Sequence, residues 1–383
     1  MQISLDTDKV FEYLATLNYC QISDRETSTV TVIAAKNFNI SIAFADGRNL
    51  LVKQELHNNC GQTKGEFWSA WQIQELLNTF PDLSQKFGAF LPELMYFDPE
   101  NSILIVKYLA DYEDLYQYYT NEHKFPVEIA RSIGKLLATI HSQTFGQPAY
   151  QQFLAGDNHN LVSSHSAIDL IDRLTRITPQ VFQVVPPECL QFFRLYQRFP
   201  SLSAAIVELG SSITPSCLVH HDLKINNILI ALDWERPDST AIRLIDWERA
   251  NWGDPAFDLG CILSSYLEIW LDGLPIGHSL SINESLQLAT TPLELLQPSL
   301  FTLIQAYLAE FPEISIARPD YLDRVIQFAG LGLIQRVEGN LYEERNFDNR
   351  GMVILQVAKQ LICTPQAAIN TLFGSNSAQL IAN

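Results

Sequence analysis

Between Leu218 and Gly260 the chain reads LVHHDLKINNILIALDWERPDSTAIRLIDWERANWGDPAFDLG, and this stretch limits the available folds more than any other. A short apolar run leads into His220, His221 and Asp222, and Asn227 follows five residues after the acid. A second apolar run, Ile228 to Ile230, is succeeded by a polar turn and then by Ile242 to Ile245, which delivers Asp246. This alternation predicts a loop, a strand, a hairpin turn and a second strand with an acid at its end. Two carboxylates and one carboxamide at strand ends form the donor set that phosphoryl transfer needs. One carboxylate accepts a hydroxyl proton; the amide and the other carboxylate hold the magnesium that neutralises nucleotide phosphates.

The spacing His-x-Asp-x-x-x-x-Asn, followed by a strand ending in Asp, resembles the catalytic core of kinase-like phosphotransferases. Protein kinases place Phe-Gly after the second Asp, whereas here Trp247 and Glu248 follow, and then GDPAFDLG. IDWE followed by GDPxxDL resembles the aminoglycoside phosphotransferase and choline kinase group, whose members phosphorylate small molecules. Two positions depart from that group. It carries Gly between the His and Asp of its loop, where this chain has His221, and Lys224 is closer to the protein-kinase loop. The base and metal positions are intact. The resemblance implies an α+β, bilobal protein-kinase-like fold. Residues 1–108 would form a small β-rich nucleotide-binding N-lobe, and residues 109–383 a larger, mostly helical C-lobe for catalysis and substrate binding.

The periodicity elsewhere agrees with that division. Val10, Phe11, Leu14 and Leu17 recur at helical spacing within Thr7–Leu17. Strands are predicted over Val30–Ala35, Ile40–Ala45 and Asn49–Glu55, with Asp46-Gly47 as the turn between the last two. A helix follows over Gly65–Leu77, and Leu91–Phe97 and Ser102–Tyr108 complete five strands. Beyond Pro126 the spacing turns helical, first in VEIARSIGKLLATIH with Ile129, Ile133, Leu136, Leu137 and Ile140 on one face. Residues 145–215 read as a helical insertion broken at Pro186-Pro187, and further helices are predicted around Ile262–Trp270, Pro298–Glu310, Tyr321–Glu338 and Met352–Ile362. His141, at the end of its helix, is expected to complement the helix dipole.

The resemblance assigns roles residue by residue. Asp222 would orient the acceptor hydroxyl and take its proton, and Lys224 would face the phosphoryl group in transit. Asn227 and Asp246 would bind Mg²⁺. Lys53, on the third strand, would fix the phosphates of ATP or GTP, held in place by Glu66, with Glu75 as the competing acid. Lys107 and Leu109 would meet the adenine edge through their backbones, with Asp111 or Glu113 near the ribose. The loop that should cover the phosphates, AAKNFN, has no glycine. Glycine is what lets backbone amides come close to a phosphate, so Asn37 and Asn39, which tolerate unusual dihedrals, are the expected substitutes. His220 would pack the loop, and Asp258 would accept backbone amides of the loop, with Asp254 in a similar part. Glu248 reads equally as a contact to metal or substrate and as a surface acid.

A formal charge of −18 argues against nucleic acid or an anionic membrane as the main partner and suits a cationic substrate. Asn251–Ala317 contains acids but no Lys or Arg, and Glu338, Glu343, Glu344 and Asp348 form a second acidic group. With Tyr266, Trp270 and Tyr342 they would suit an amine or quaternary ammonium; a solvated acidic face explains them as well. Six cysteines without paired spacing, no apolar run near the ~20 residues of a membrane helix, and an N-terminus without a basic flank suggest a cytoplasmic setting. The expected function is phosphorylation of a small-molecule hydroxyl, on a cationic amine or an aminoglycoside-like compound. The competing reading is a kinase-like protein that binds nucleotide without turnover. A kinase of proteins fits less well, because little chain separates Asp246 from GDPxxDL.

Overall fold

The computed structural model describes residues 3–33, 36–57, 63–156, 166–179, 181, 185–236, 241–277 and 280–381. The chain divides into two compact units. The first is drawn mainly from Met1–Glu113 and Leu229–Ala250, the second mainly from Asp114–Ala155, Val162–Ile228 and Asn251–Asn383.

The first unit is built on five antiparallel strands: β1 (Thr29–Ile33), β2 (Phe38–Ala43), β3 (Asn49–Gln54), β4 (Leu94–Asp98) and β5 (Ile103–Lys107), in the order β1-β2-β3-β5-β4. The β2–β3 turn forms because Gly47 takes φ +88°, a conformation that costs glycine little. Alternation then sorts the two faces. Ile40, Ile42, Leu50, Val52, Ile103 and Ile105 face one way and bury against Val10, Phe11 and Leu14 of helix α1 (Lys9–Thr16). Asn39, Lys53 and Leu104 form a cross-strand row out of phase with that core. Helix α2 (Glu66–Thr79) starts where the Glu55 carboxylate accepts the Glu66 amide at 2.9 Å. A three-stranded sheet of β6 (Tyr112–Asp114), β8 (Ile228–Ala231) and β9 (Ile242–Leu244) ends two residues short of Asp246. Ala34 and Ala35, part of the expected first strand and covering loop, lie outside the described residues.

The second unit is mostly helical. Its frame is α3 (Leu115–Glu122), α4 (Val127–Thr144), α5 (Pro255–Asp272), α6 (Leu293–Glu310), α7 (Tyr321–Gly339) and α8 (Asn349–Cys363), with α4 against α6 and α5 against α7. A short antiparallel pair, β7 (Cys217–Val219) with β10 (Asn251–Gly253), feeds the loop that begins at His220. Helix α5 starts earlier than its apolar periodicity indicates, because Asp254 caps it, accepting the Ala256 amide at 3.1 Å, and Pro255 is preset for the first turn. Helix α6 likewise starts five residues before Pro298, which is carried inside it. The missing amide donor costs little because Pro298 and Glu294, whose carbonyl it would have served, are both exposed to solvent, while the next residue, Ser299, is buried and donates to the Phe125 carbonyl at 2.7 Å.

Candidate active site

In the first unit the site is organised by Lys53, whose side chain is 8 % exposed. Its ammonium lies 2.8 Å from Asp246 Oδ1, is also bonded to the Glu248 carboxylate, and sits 5.5 Å from the centroid of the Phe67 ring. Burial alone would lower the lysine; the two carboxylates outweigh it and hold its affinity for the proton above the ordinary range. Glu248 moves upward, mainly through burial, with Asp246 and Glu66 adding repulsion and Lys53 opposing it. Asp246 reaches Lys53 from a left-handed backbone, φ +62°, which Asp tolerates better than most residues. The Trp247 indole fixes this turn by donating to the Leu244 carbonyl at 2.9 Å.

Two expectations need correcting in this unit. Glu66 does not hold Lys53: its carboxylate is bonded to Lys36, while Lys53 has taken Asp246 and Glu248. The reason is local. The turn Trp247–Arg249 packs against α2 and brings Glu248 to the lysine, so Glu66 is left facing the β1–β2 connection. Glu248, read as ambiguous, is thereby a direct partner of Lys53. Glu75, the competing acid, instead accepts from Asn78 at 3.4 Å. Asn39 pairs across the strands with Lys53 and is buried, and its side-chain oxygen has no hydrogen-bond partner among the described residues. Lys107 closes β5, and the Leu109 carbonyl accepts the Tyr112 amide at 3.3 Å.

In the second unit the loop from His220 is held from behind. Asp258, buried on α5, accepts the amides of His220 at 2.7 Å and His221 at 3.0 Å. The Asp222 amide lies 3.3 Å from His220 Nδ1, and Ile225 donates to Ser265 Oγ at 3.4 Å. His221 takes φ +62°, which explains why a glycine suits this slot in the resembling group. Its ring packs over Gly253 so closely that a Cβ there would lie 2.5 Å from Nε2. Asn227 gives its side-chain nitrogen to the Asp222 carbonyl at 2.7 Å, so the oxygen is the atom it can offer a cation. Lys224 is half-exposed, its ammonium 3.6 Å from Asp222 Oδ2.

His141 lies in the last turn of α4, three residues before its end, and is fully buried in the core. Nδ1 is 2.8 Å from the Tyr307 hydroxyl and Nε2 is 3.4 Å from Asp258 Oδ2. Burial pushes the Asp258 carboxyl up; the hydrogen bond from His141 and the charges of His141, His220 and His221 pull it below its ordinary value. Asp254 is also structural: Arg324 reaches it at 2.6 Å in the core. Tyr307 left no signal in the sequence, because its role exists only through a partner on another helix.

The acids and aromatics proposed for an amine divide sharply. Tyr266 is fully buried, its hydroxyl 2.7 Å from that of Tyr119, so it lines no open surface. Glu338 is committed to Arg173 through two bonds of 2.8 and 2.7 Å, and Asp348 caps α8. Glu268 on α5 differs. Among the described residues its partners are Ser264 at 3.3 Å and Arg336 at 3.8 Å, because Arg336 is turned to Asp272 at 2.7 and 2.8 Å. Burial, reinforced by Asp272 and opposed by Arg336, Ser264 and Lys224, pushes its carboxyl up to about 7.

Comparison with known proteins places the chain that carries these two groups of residues in a family. Residues 85–281, just over half of the chain, match the model of the phosphotransferase enzyme family, and the chain belongs to that family. Its fold is the kinase-like α+β fold. An ethanolamine kinase from Plasmodium vivax superposes with a TM-score of 0.56 over 96% of each chain, at 13% identity. A choline kinase from Cryptosporidium parvum Iowa II superposes with a TM-score of 0.51 over 98% of this chain and 99% of that one, also at 13% identity. In sequence, a 4-hydroxytryptamine kinase of Psilocybe cyanescens is 26% identical over 179 residues, 45% of this chain and 45% of the relative. The match thus spans a little under half the length of that relative.

Proposed function

We propose that the chain is a kinase that moves a phosphoryl group from ATP or GTP to a hydroxyl of a small cationic amine. The observation that carries this reading is the closure of buried Lys53 on Asp246 and Glu248. A lysine kept charged in the core, with acids at a strand end as its partners, is suited to exchange those acids for phosphate oxygens. Asp222 is the proton acceptor for the hydroxyl; Asp258 holds the amides of the two residues before it, and Asn227 holds its carbonyl. Lys224, beside Asp222, adds positive charge where the transferred group gathers negative charge. Lys107, Leu109 and Asn39 serve the base and the phosphates.

The donor set suits magnesium. Asp246 is part-exposed, Asn227 has an oxygen to give, and hard oxygen ligands are what this ion selects. Bound with the nucleotide, it would neutralise phosphate charge, held by Asn227 and Asp246. An amine acceptor is supported by two things. The relatives are named for 4-hydroxytryptamine, ethanolamine and choline, all hydroxyl-bearing amines. In this chain, Glu268 is a carboxylate with loosely matched charge on the helix that anchors the catalytic loop.

The test is nucleotide consumption with Mg²⁺ and a panel of hydroxyl-bearing amines, with uncharged alcohols and aminoglycosides as comparators. Turnover confined to cationic acceptors is the expected result. Nucleotide binding without turnover on any acceptor would leave a nucleotide-binding protein, and an absence of binding would overturn the kinase reading.

A further inference from the structure

The β1–β2 connection has no glycine, so it has no residue suited to presenting close-approaching backbone amides to phosphates. It does have Lys36. That ammonium is half-exposed and bonded to Glu66, whose side chain is largely buried at the start of α2. Glu66 is followed on α2 by Phe67, whose ring centroid lies 5.5 Å from the Lys53 ammonium, and that ammonium is bonded to Glu248 and Asp246. The five groups form one row: Lys36, Glu66, Glu248, Lys53, Asp246. Three carboxylates face two ammoniums within the first unit, and both ammoniums are occupied by acids.

The strand register fixes the scale of this row. Asn39 lies opposite Lys53, and Lys36, in the bend before the strand, precedes Asn39 by three residues, at most roughly 10 Å of chain. A flexible four-carbon stem extends from there toward α2. The Lys36–Glu66 pair is solvated on the lysine side, and such pairs contribute little to stability. Phosphate oxygens next to Lys53 would compete for Lys36 with little to overcome.

We infer that Lys36 binds the nucleotide's phosphates, its side-chain ammonium standing in for the backbone amides of a glycine-lined loop. The inference rests on the kinase reading above and extends it to a residue the sequence pattern did not single out. The binding exchanges one partner of Lys36, the Glu66 carboxylate, for another, a phosphate oxygen.

The test is calorimetric titration of the full chain with Mg²⁺-ATP, Mg²⁺-ADP and adenosine, comparing wild type with Lys36→Met and Lys36→Arg. Lys36→Met is expected to weaken ATP roughly tenfold, the low end for a hydrogen bond to a charged group. Adenosine affinity should stay at the wild-type value, and Lys36→Arg should recover most of the loss. Unchanged ATP affinity in Lys36→Met overturns the inference. An equal loss for adenosine also overturns it, because Lys36 would then only support the shape of the strands. A wild type that binds adenosine but gains nothing from phosphates, or binds no nucleotide at all, defeats the kinase reading itself and is told apart by that control.

Discussion

Asn227 donates its side-chain nitrogen to the backbone carbonyl of Asp222 at 2.7 Å, so the loop's amide and its acid are one hydrogen-bonded unit. On the proposed reading their duties are separate: Asn227 shapes the loop with nitrogen and has oxygen to offer, while Asp222, whose Oδ2 lies 3.4 Å from that nitrogen and 3.6 Å from the Lys224 ammonium, takes the hydroxyl proton. Asp222→Asn keeps the size and removes the base. Turnover should fall by ~10²-fold or more, with nucleotide affinity nearly unchanged. Asp246→Asn should weaken magnesium and nucleotide together. Steady-state rates and titrations on the two variants check the contrast; full turnover in Asp222→Asn would mean that another group takes the proton.

The buried line Tyr307–His141–Asp258 should act on rate through the loop alone. His141→Phe keeps a ring but removes both nitrogens, so the buried Tyr307 hydroxyl loses its bond to the ring and Asp258 Oδ2 keeps only the His220 amide of the two. A stability loss of about 1–3 kcal/mol is expected, readable in urea unfolding. The turnover rate should drop while KM for nucleotide holds. A variant with native stability and native rate would show the line to be inert.

Glu268 makes stability depend on pH with a definite sign. Its carboxyl is raised in the folded chain to about 7, from an ordinary 4.5. Below pH 4.5 it is protonated both folded and unfolded, and its favourable contribution is complete. That contribution is lost as pH climbs to about 7, and above this it changes no further. Glu268→Gln cannot ionise, so its melting temperature should gain on the wild type across that window and keep a constant lead at pH 8. Arg336 and Lys224 favour the charged form and Asp272 opposes it, so parallel curves for the two proteins would mean their balance is complete.

His221 and Gly253 should be coupled. A methyl at position 253 meets the His221 ring at 2.5 Å, and Val219 bounds it on another side at 3.1 Å. Gly253→Ala should cost roughly 1–3 kcal/mol as overpacking, and much less in a His221→Gly background, where the left-handed backbone is natural for glycine. A double-mutant cycle by chemical denaturation measures this. Additive losses would place the clash on Val219 instead.

What could be read in advance was what is local. Period-two alternation located the five strands, and the five-residue step from Asp222 to Asn227 is a spacing that any reader of the chain can count. The role of Asp258 as an acceptor of loop amides comes from the family resemblance; its position at the start of a helix alone reads equally as an ordinary first-turn acid. What could not be read was pairing across sequence distance. Nothing around Glu248 tells whether it or Glu66 reaches Lys53, since the answer depends on how α2 packs against the turn Trp247–Arg249. Tyr307 lies 166 residues from His141, and only the contact of α6 with α4 makes them partners. Tyr266 looked like a candidate for an open, acidic surface because composition is blind to which side of α5 a ring takes.

That helix sets a condition on how the protein can vary. Asp258, Cys261, Ser265, Glu268 and Asp272 follow one another at steps of three and four, a single stripe along α5. Its first member grips the loop of Asp222, its middle supports Ile225, and toward its far end stands Glu268, the carboxylate proposed to meet an amine. One residue inserted between Asp258 and Glu268 would rotate the far end by about 100° relative to the near end. On the proposed reading, acceptor preference along this helix is therefore free to change by substitution but not by gain or loss of a single residue, because both ends of the stripe share one angular phase.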